Sequence, residues 1–332
     1  MNYAVIGLGA VGSVVGGFLT RIDEDVLLVG KKHQVDTIKM TGLHINRISV
    51  QQNLKITEDF SLLSDRDIVF LCVKSQDTKK TMEQIKKSLK KPVIIISLQN
   101  GVHNAEFAEE VCGFKIFSSV VLFNSVCQKD GFVLLTMKGR ILLENAKGYE
   151  KVLLQITRVL KKARINVKLV DDIHAACWSK LVLNLQIAIT ALTGQTIYES
   201  LTNRISRKII IATLKEGLQI AKHSKLRLST LPVVDPRWMI WMLQILGPFS
   251  PVLSSLFLKM QKNARNSLWQ SLIQGKKTEI DYINGEIIHL ARQQNLQAPI
   301  NTKLVELVKE AEGKSPLKYI TPSKLQKLLN IS

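Results

Sequence analysis

The chain has 332 residues, with 46 Lys and Arg against 27 Asp and Glu for a formal net charge of +19. At 46% apolar and 22% charged, it has the composition of a globular protein long enough for two cores, which excludes a disordered or low-complexity chain. The basic excess does not point to nucleic acid, because Lys79, Lys80, Lys86, Lys87, Lys90 and Lys91 fall on one predicted helix and its end, with no recognition motif or aromatic stacking platform.

Asn2–Ile6 reads as a short buried strand, and Gly7, Gly9 and Gly12 follow in G-x-G-x-x-G spacing before a small-residue apolar run that suits a helix. Strand, tight turn and helix N-terminus together gather unpaired N–H groups and the positive end of a helix dipole where a pyrophosphate can sit. Gly7 permits the turn, Gly9 lets phosphates approach the backbone, and Gly12 lets helix and strand pack closely. The chain enters this strand at once, without an apolar signal core, so a cytoplasmic location is expected.

Val26–Val29 reads as a second parallel strand ending at Gly30-Lys31-Lys32-His33. An acid at this junction would bond the ribose hydroxyls of NAD, whereas a base would meet the 2′-phosphate of NADP. No acid lies between Val26 and Val35, so Lys31 and Lys32 favour NADP(H), with surface lysines as the plainer reading. Ile68–Val73 and Val93–Leu98 are further buried strands. They run into Lys74-Ser75-Gln76-Asp77 and Gln99-Asn100-Gly101. Such loops lie at the carboxyl edge of a parallel sheet, where ligands bind, so Lys74 and Asn100 are either ribose, nicotinamide or substrate contacts or members of satisfied turns.

From Ile116 to about Leu143 the alternation predicts more strands at the sheet edge, and Val167–Val170 closes a first domain of residues 1–170. Residues 171–332 are mostly helical in period, beginning with Ile173–Ala191, which contains neither Pro nor Gly. On that predicted helix Lys180 and Asn184 share a face among Leu, Val and Ile. A lysine so placed either snorkels at the helix edge or has chemistry to do. Further on, Thr278 and Asp281 have the spacing of a capping box, Glu279 stands at a helix start, and Ile280, Ile283, Ile287 and Leu290 form an apolar stripe. Cys72, Cys112, Cys127 and Cys177 have no metal-ligand spacing; reduced thiols and no metal are expected.

With a nicotinamide cofactor, these residues suit reduction of a carbonyl, whose developing oxyanion needs a proton donor or a cation. GLGAVG, CVKSQDT, LQNGVHN, KLVLN at 180–184, SLWQ at 267–270 and KTEIDYING at 277–285 occur in order, and together the chain resembles the ketopantoate reductase (2-dehydropantoate 2-reductase) family. The resemblance implies an α/β N-terminal Rossmann-type domain binding NADPH and a C-terminal all-helical substrate domain, with the active site in the cleft between them. By the same resemblance, Lys180 is the general acid, Glu279 orders it and a substrate hydroxyl, and Asn184 and Ser267 hold the substrate. Lys74 and Asn100 flank the nicotinamide and its ribose. The reaction implied is NADPH-dependent reduction of 2-dehydropantoate to pantoate in pantothenate and coenzyme A biosynthesis.

Two features depart from the simplest form of this reading. The family's second asparagine, one helical turn beyond Asn184, is replaced by Ala188, with Gln186 nearby. Ala188→Asn would therefore lower KM if the pocket has merely lost one contact, whereas a different 2-oxoacid would explain the alanine otherwise. Residues 238–258 carry no charge and are long enough for a membrane span, but Gly247, Pro248 and Pro251 break them, which predicts two buried helices or a subunit interface of a homodimer. The alternatives to ketopantoate reduction are thus a related NADP(H)-dependent 2-oxoacid or 2-hydroxyacid oxidoreductase and a catalytically idle, membrane-associated nucleotide-binding protein.

Overall fold

A computed structural model describes residues 1–50, 54–89, 91–231, 235–245, 265–314 and 316–331. It divides into two compact units, Met1–His174 and Ala175–Ser332.

The central strands of the first unit's main sheet are apolar on both faces, as expected when helices cover a parallel sheet from both sides. β1 (Tyr3–Ile6), β2 (Val26–Val29), β5 (Lys55–Thr57), β6 (Ile68–Leu71), β7 (Ile94–Ser97) and β8 (Ile116–Phe117) form one parallel sheet in the order β5-β2-β1-β6-β7-β8. Alternation along β1 divides the core. Tyr3 and Val5 pack with Val15 and Leu19 of α1 (Ala10–Thr20), while Ala4 and Ile6 pack with Met82 and Ile85 of α3 (Thr78–Ser88). The outer face of α3 exposes Lys79, Lys80, Lys86 and Lys87. α2 (Lys32–Thr41) follows β2, and α4 (Asn104–Cys112) follows β7. Strand order reverses at β1, so the turn after β1 and the loop after β6 lie side by side at the carboxyl edge, where such sheets take ligands.

The expectation for residues 116–143 needs correction, because only β8 extends the main sheet. β10 (Asn124–Lys129) and β11 (Phe132–Met137) join two short strands, β3 (Leu43–Ile45) and β4 (Ile48–Val50), in a second sheet. β9 (Ser119–Val121), β12 (Arg140–Glu144) and β13 (Asn166–Val170) form a third, against which α5 (Glu150–Lys162) packs. Alternation shows that a strand is half-buried but not which partner buries it.

All regular structure described in the second unit is helical. α9 (Arg204–His223), capped where Asn203 Oδ1 accepts from the N–H groups of Ile205 and Ser206, runs through its middle with Ile209, Ile210 and Leu214 buried. Against it pack α8 (Ile197–Thr202), α10 (Pro236–Ile245), α12 (Asn284–Gln293), α13 (Pro299–Ala311) and α14 (Pro322–Leu328).

The predicted helix from Ile173 is two helices. α6 (Ile173–Asn184) stops, Leu185 and Gln186 make a turn, and α7 (Ile187–Thr193) resumes. By length and composition Ile173–Thr193 would cross a membrane, but most of it is buried within the protein. α10 forms the start of the apolar stretch 238–258; residues 246–258, with Gly247, Pro248 and Pro251, lie outside the described residues.

Candidate functional site

The glycine turn has the shape its spacing predicts. Gly7 sits at φ +99°, and a Cβ there would stand 2.7 Å from the Val73 nitrogen. A Cβ on Gly12 would lie 2.0 Å from the Gly7 carbonyl oxygen, so α1 can approach β1 only through glycine. A Cβ on Gly9 would meet nothing within 4 Å. Two glycines thus serve protein packing, while the third leaves backbone open at a helix N-terminus, which fits a dinucleotide's pyrophosphate.

Gln34, which the sequence reading missed, braces this turn. Its Nε2 donates to the Leu8 carbonyl (3.1 Å), and its Oε1 accepts from the Lys31 N–H (3.1 Å). Gln34 therefore ties the end of β2 to the glycine loop. Lys31 and Lys32 are both exposed there, and the Lys31 ammonium pairs with Asp77 at 3.2 Å.

Lys74 and Asn100 are half-buried in adjacent loops after β6 and β7. Side chains lace these loops together: Gln99 Nε2 donates to the Val73 carbonyl (3.0 Å) and to Thr78 Oγ1 (2.8 Å), and Ser75 Oγ donates to the Asn100 carbonyl (3.2 Å). Asn104 Nδ2 donates to Ser75 Oγ (3.1 Å) and also to the Asn100 carbonyl. Gln99 and Asn104 are within LQNGVHN, but only the fold shows that their amides join the two loops.

In the second unit Lys180 lies half-buried on α6. Burial pulls its ammonium down to about 8, while the neighbouring Cys177 sulfur and the Glu279 carboxylate push it back up. Glu279 is also half-buried, just ahead of a 3₁₀ turn at Ile280–Tyr282. Lys180 and Glu279, 99 positions apart, are therefore brought within electrostatic reach. Asn184 closes α6 on the same helix, half-buried. Ser267 opens α11 (Ser267–Ile273), which packs on α7, and it is exposed.

Two local expectations need correction. The full capping box at Thr278 does not form: the Thr278 hydroxyl accepts from the Ile280 N–H (3.3 Å), but Glu312 takes the Thr278 N–H (2.8 Å) that Asp281 would have capped, and Asp281 pairs with Lys309 at 2.7 Å. The apolar stripe nevertheless holds, with Ile280, Ile283, Ile287 and Leu290 all buried. Ala188 lies beyond the break in the helix, so its four-residue spacing from Asn184 no longer fixes a shared face with Lys180, and it is 0% exposed.

A doubly wound nucleotide-binding unit followed by a helical unit with a desolvated lysine is the architecture of a dinucleotide-dependent oxidoreductase acting on a ketone. The ketopantoate reductase PanE/ApbA model matches residues 3–148, and the ketopantoate reductase PanE/ApbA C-terminal model matches residues 172–312. The chain belongs to this family. It is 28% identical to the 2-dehydropantoate 2-reductase of Pyrococcus horikoshii over 94% of this chain and 98% of the relative, and 24% identical to that of Aquifex aeolicus over 94% and 97%. Among solved structures, a PanE/ApbA family ketopantoate reductase from Ralstonia eutropha JMP134 superposes with a TM-score of 0.80 at 26% identity, covering 94% of this chain and 98% of that one. A D-mandelate dehydrogenase in ternary complex with NADH and anilino(oxo)acetate superposes with a TM-score of 0.79 at 25% identity, covering 94% and 98%.

Proposed function

We propose that the protein reduces 2-dehydropantoate to pantoate with NADPH, in the cytoplasm, as a step of pantothenate and coenzyme A biosynthesis. The observation that carries this reading is Lys180, desolvated on α6 within electrostatic reach of the Glu279 carboxylate. Residues 1–170 form the NADP-binding part and 171–332 the substrate part. Gly7, Gly9 and Gly12 seat the pyrophosphate, Lys31 and Lys32 take the 2′-phosphate, and Lys74 and Asn100 border the nicotinamide and its ribose. NADPH, when bound, supplies the hydride.

Lys180 answers the charge that develops as the ketone's C=O π bond breaks. Its ammonium aims at the carbonyl oxygen and delivers a proton from Nζ, leaving a neutral amine and an alcohol. Burial makes that proton easier to release, and Glu279 keeps the ammonium charged until it is needed. Asn184 and Ser267 hold the substrate's polar groups, and Asn100 adds a further bond.

A second reading is favoured by Ala188 and by the likeness to D-mandelate dehydrogenase: the same chemistry on another 2-oxoacid. Oxidation of NADPH and NADH by the purified protein, measured with ketopantoate, the 2-oxoacid of mandelate, and linear and branched 2-oxoacids, separates the two. Ketopantoate turnover well above the rest supports the first reading. Preference for another acid replaces it with the second, and no turnover with any of them overturns both.

A further inference from the structure

The break between α6 and α7 contains neither glycine nor proline, so something else must hold it open. Two buried asparagines do. Asn284, 0% exposed, donates from Nδ2 to the Leu185 carbonyl (3.1 Å), and Asn266 donates from Nδ2 to the Ile187 carbonyl (3.1 Å) and to Thr190 Oγ1. The carbonyls on either side of Gln186 thus find side-chain donors.

Asn284 is oriented from behind. Its Nδ2 also donates to Asn301 Oδ1 (2.9 Å), and Asn301 Nδ2 donates to Glu216 Oε1 (2.8 Å). Glu216 also accepts from the N–H groups of Ile300 (2.9 Å) and Asn301 (2.8 Å). A carboxylate can only accept, so the direction of the chain is chemically determined: Asn301 must turn its NH₂ to Glu216 and its oxygen to Asn284, whose NH₂ then faces Leu185. Asn284 also opens α12, five residues beyond Glu279. One side chain therefore couples the end of the Lys180 and Asn184 helix to the segment bearing Glu279.

We infer that Asn284, held by Asn301 and Glu216, is a positioning residue for the Lys180–Glu279 pair. The inference rests on the proposed role of Lys180 as the acid. An error of about 1 Å in a proton donor's place costs up to ~100-fold in rate, so Asn284→Ala should lower kcat about 10- to 100-fold while KM for NADPH stays within about twofold.

The test is a double-mutant cycle on kcat, made in the full-length protein with the best 2-oxoacid found. A residue that acts through Lys180 has nothing left to position once the lysine is gone, so Lys180→Ala/Asn284→Ala should be no slower than Lys180→Ala. If the two losses multiply, or if Asn284→Ala keeps the parental kcat, the positioning role is overturned. Should Asn284→Ala not fold, Glu216→Gln tests the same relay from its far end: an amide cannot accept all three N–H groups, so kcat should fall without a further fall in the Lys180→Ala background, and a parental kcat overturns the proposal. Failure of the underlying reading shows separately, as near-normal turnover by Lys180→Ala alone.

Discussion

Lys31 and Asp77 meet at the carboxyl edge of the parallel sheet, Nζ to Oδ2 at 3.2 Å, with both side chains largely in water (69% and 41% exposed). An exposed pair of this kind is worth little, so a doubly charged phosphate can take the lysine from the aspartate. The protein should therefore prefer NADPH to NADH, and Lys31→Ala/Lys32→Ala should reduce that preference about tenfold or more. Asp77→Asn should strengthen it. The ratio of kcat/KM for the two cofactors measures both effects, and equal use of NADH and NADPH by the parent would refute the assignment.

Lys180→Ala should lower kcat by ~10²–10⁴-fold, the usual worth of a general acid, while NADPH binding followed by fluorescence titration stays nearly unchanged. Loss of both together would place the lysine in cofactor binding instead.

The pH dependence follows from the direction of the Lys180 shift. Reduction needs the ammonium, so kcat should be level below about 8 and fall as pH rises through that value, where the lysine loses its proton. Oxidation of the alcohol needs the neutral amine and should show the opposite limb. Glu279 pushes the lysine upward, so Glu279→Gln should move both limbs to lower pH. A profile in Glu279→Gln that keeps the parental limbs would show that the carboxylate does not act on the lysine.

The glycines should separate by experiment as they do by geometry. Gly12→Ala forces a Cβ against the Gly7 carbonyl and should fail to fold or melt much earlier, whereas Gly9→Ala meets no protein atom and should keep its Tm while binding NADPH more weakly. Thermal melts with and without NADPH read both outcomes. Unaltered NADPH affinity in Gly9→Ala would remove the pyrophosphate from this turn.

Ala188→Asn carries the opposite expectation to the one drawn from helical spacing. The site is wholly buried, so an amide there must find partners in a packed core and costs about 1–3 kcal/mol if it does not. The variant should melt earlier, with no gain in KM for ketopantoate. A lower KM at unchanged Tm would return residue 188 to the pocket.

Ala188 also shows where local reading stops. β1, β2, β6, β7 and the glycine turn are legible because their apolar runs and turn residues are adjacent in the chain. Lys180 stands out as a charge amid apolar residues and Glu279 as an acid at a helix start, although nothing between them announces that they meet. The break after Asn184 is invisible, since Leu185 and Gln186 are ordinary helix formers and the groups that open it lie 79 and 99 positions away. The box at Thr278 fails for the same reason: its spacing is local, but Glu312, 34 positions on, takes the N–H that Asp281 would have capped. β3 and β4, at three residues each, are too short to show a period.

The asparagine-held break also has a consequence for the order of events during synthesis. When Ile173–Thr193 leaves the ribosome, Asn266 and Asn284 have not yet been translated, and the segment's own preference is one unbroken helix about 30 Å long. The turn at Leu185–Gln186 is thus made late, when the C-terminal third of the chain arrives and its amides claim the two carbonyls. A nascent chain stalled before residue 266 lacks both amides that hold the Leu185 and Ile187 carbonyls, so neither of these bonds is there to fix the bend that sets the orientation of Asn184.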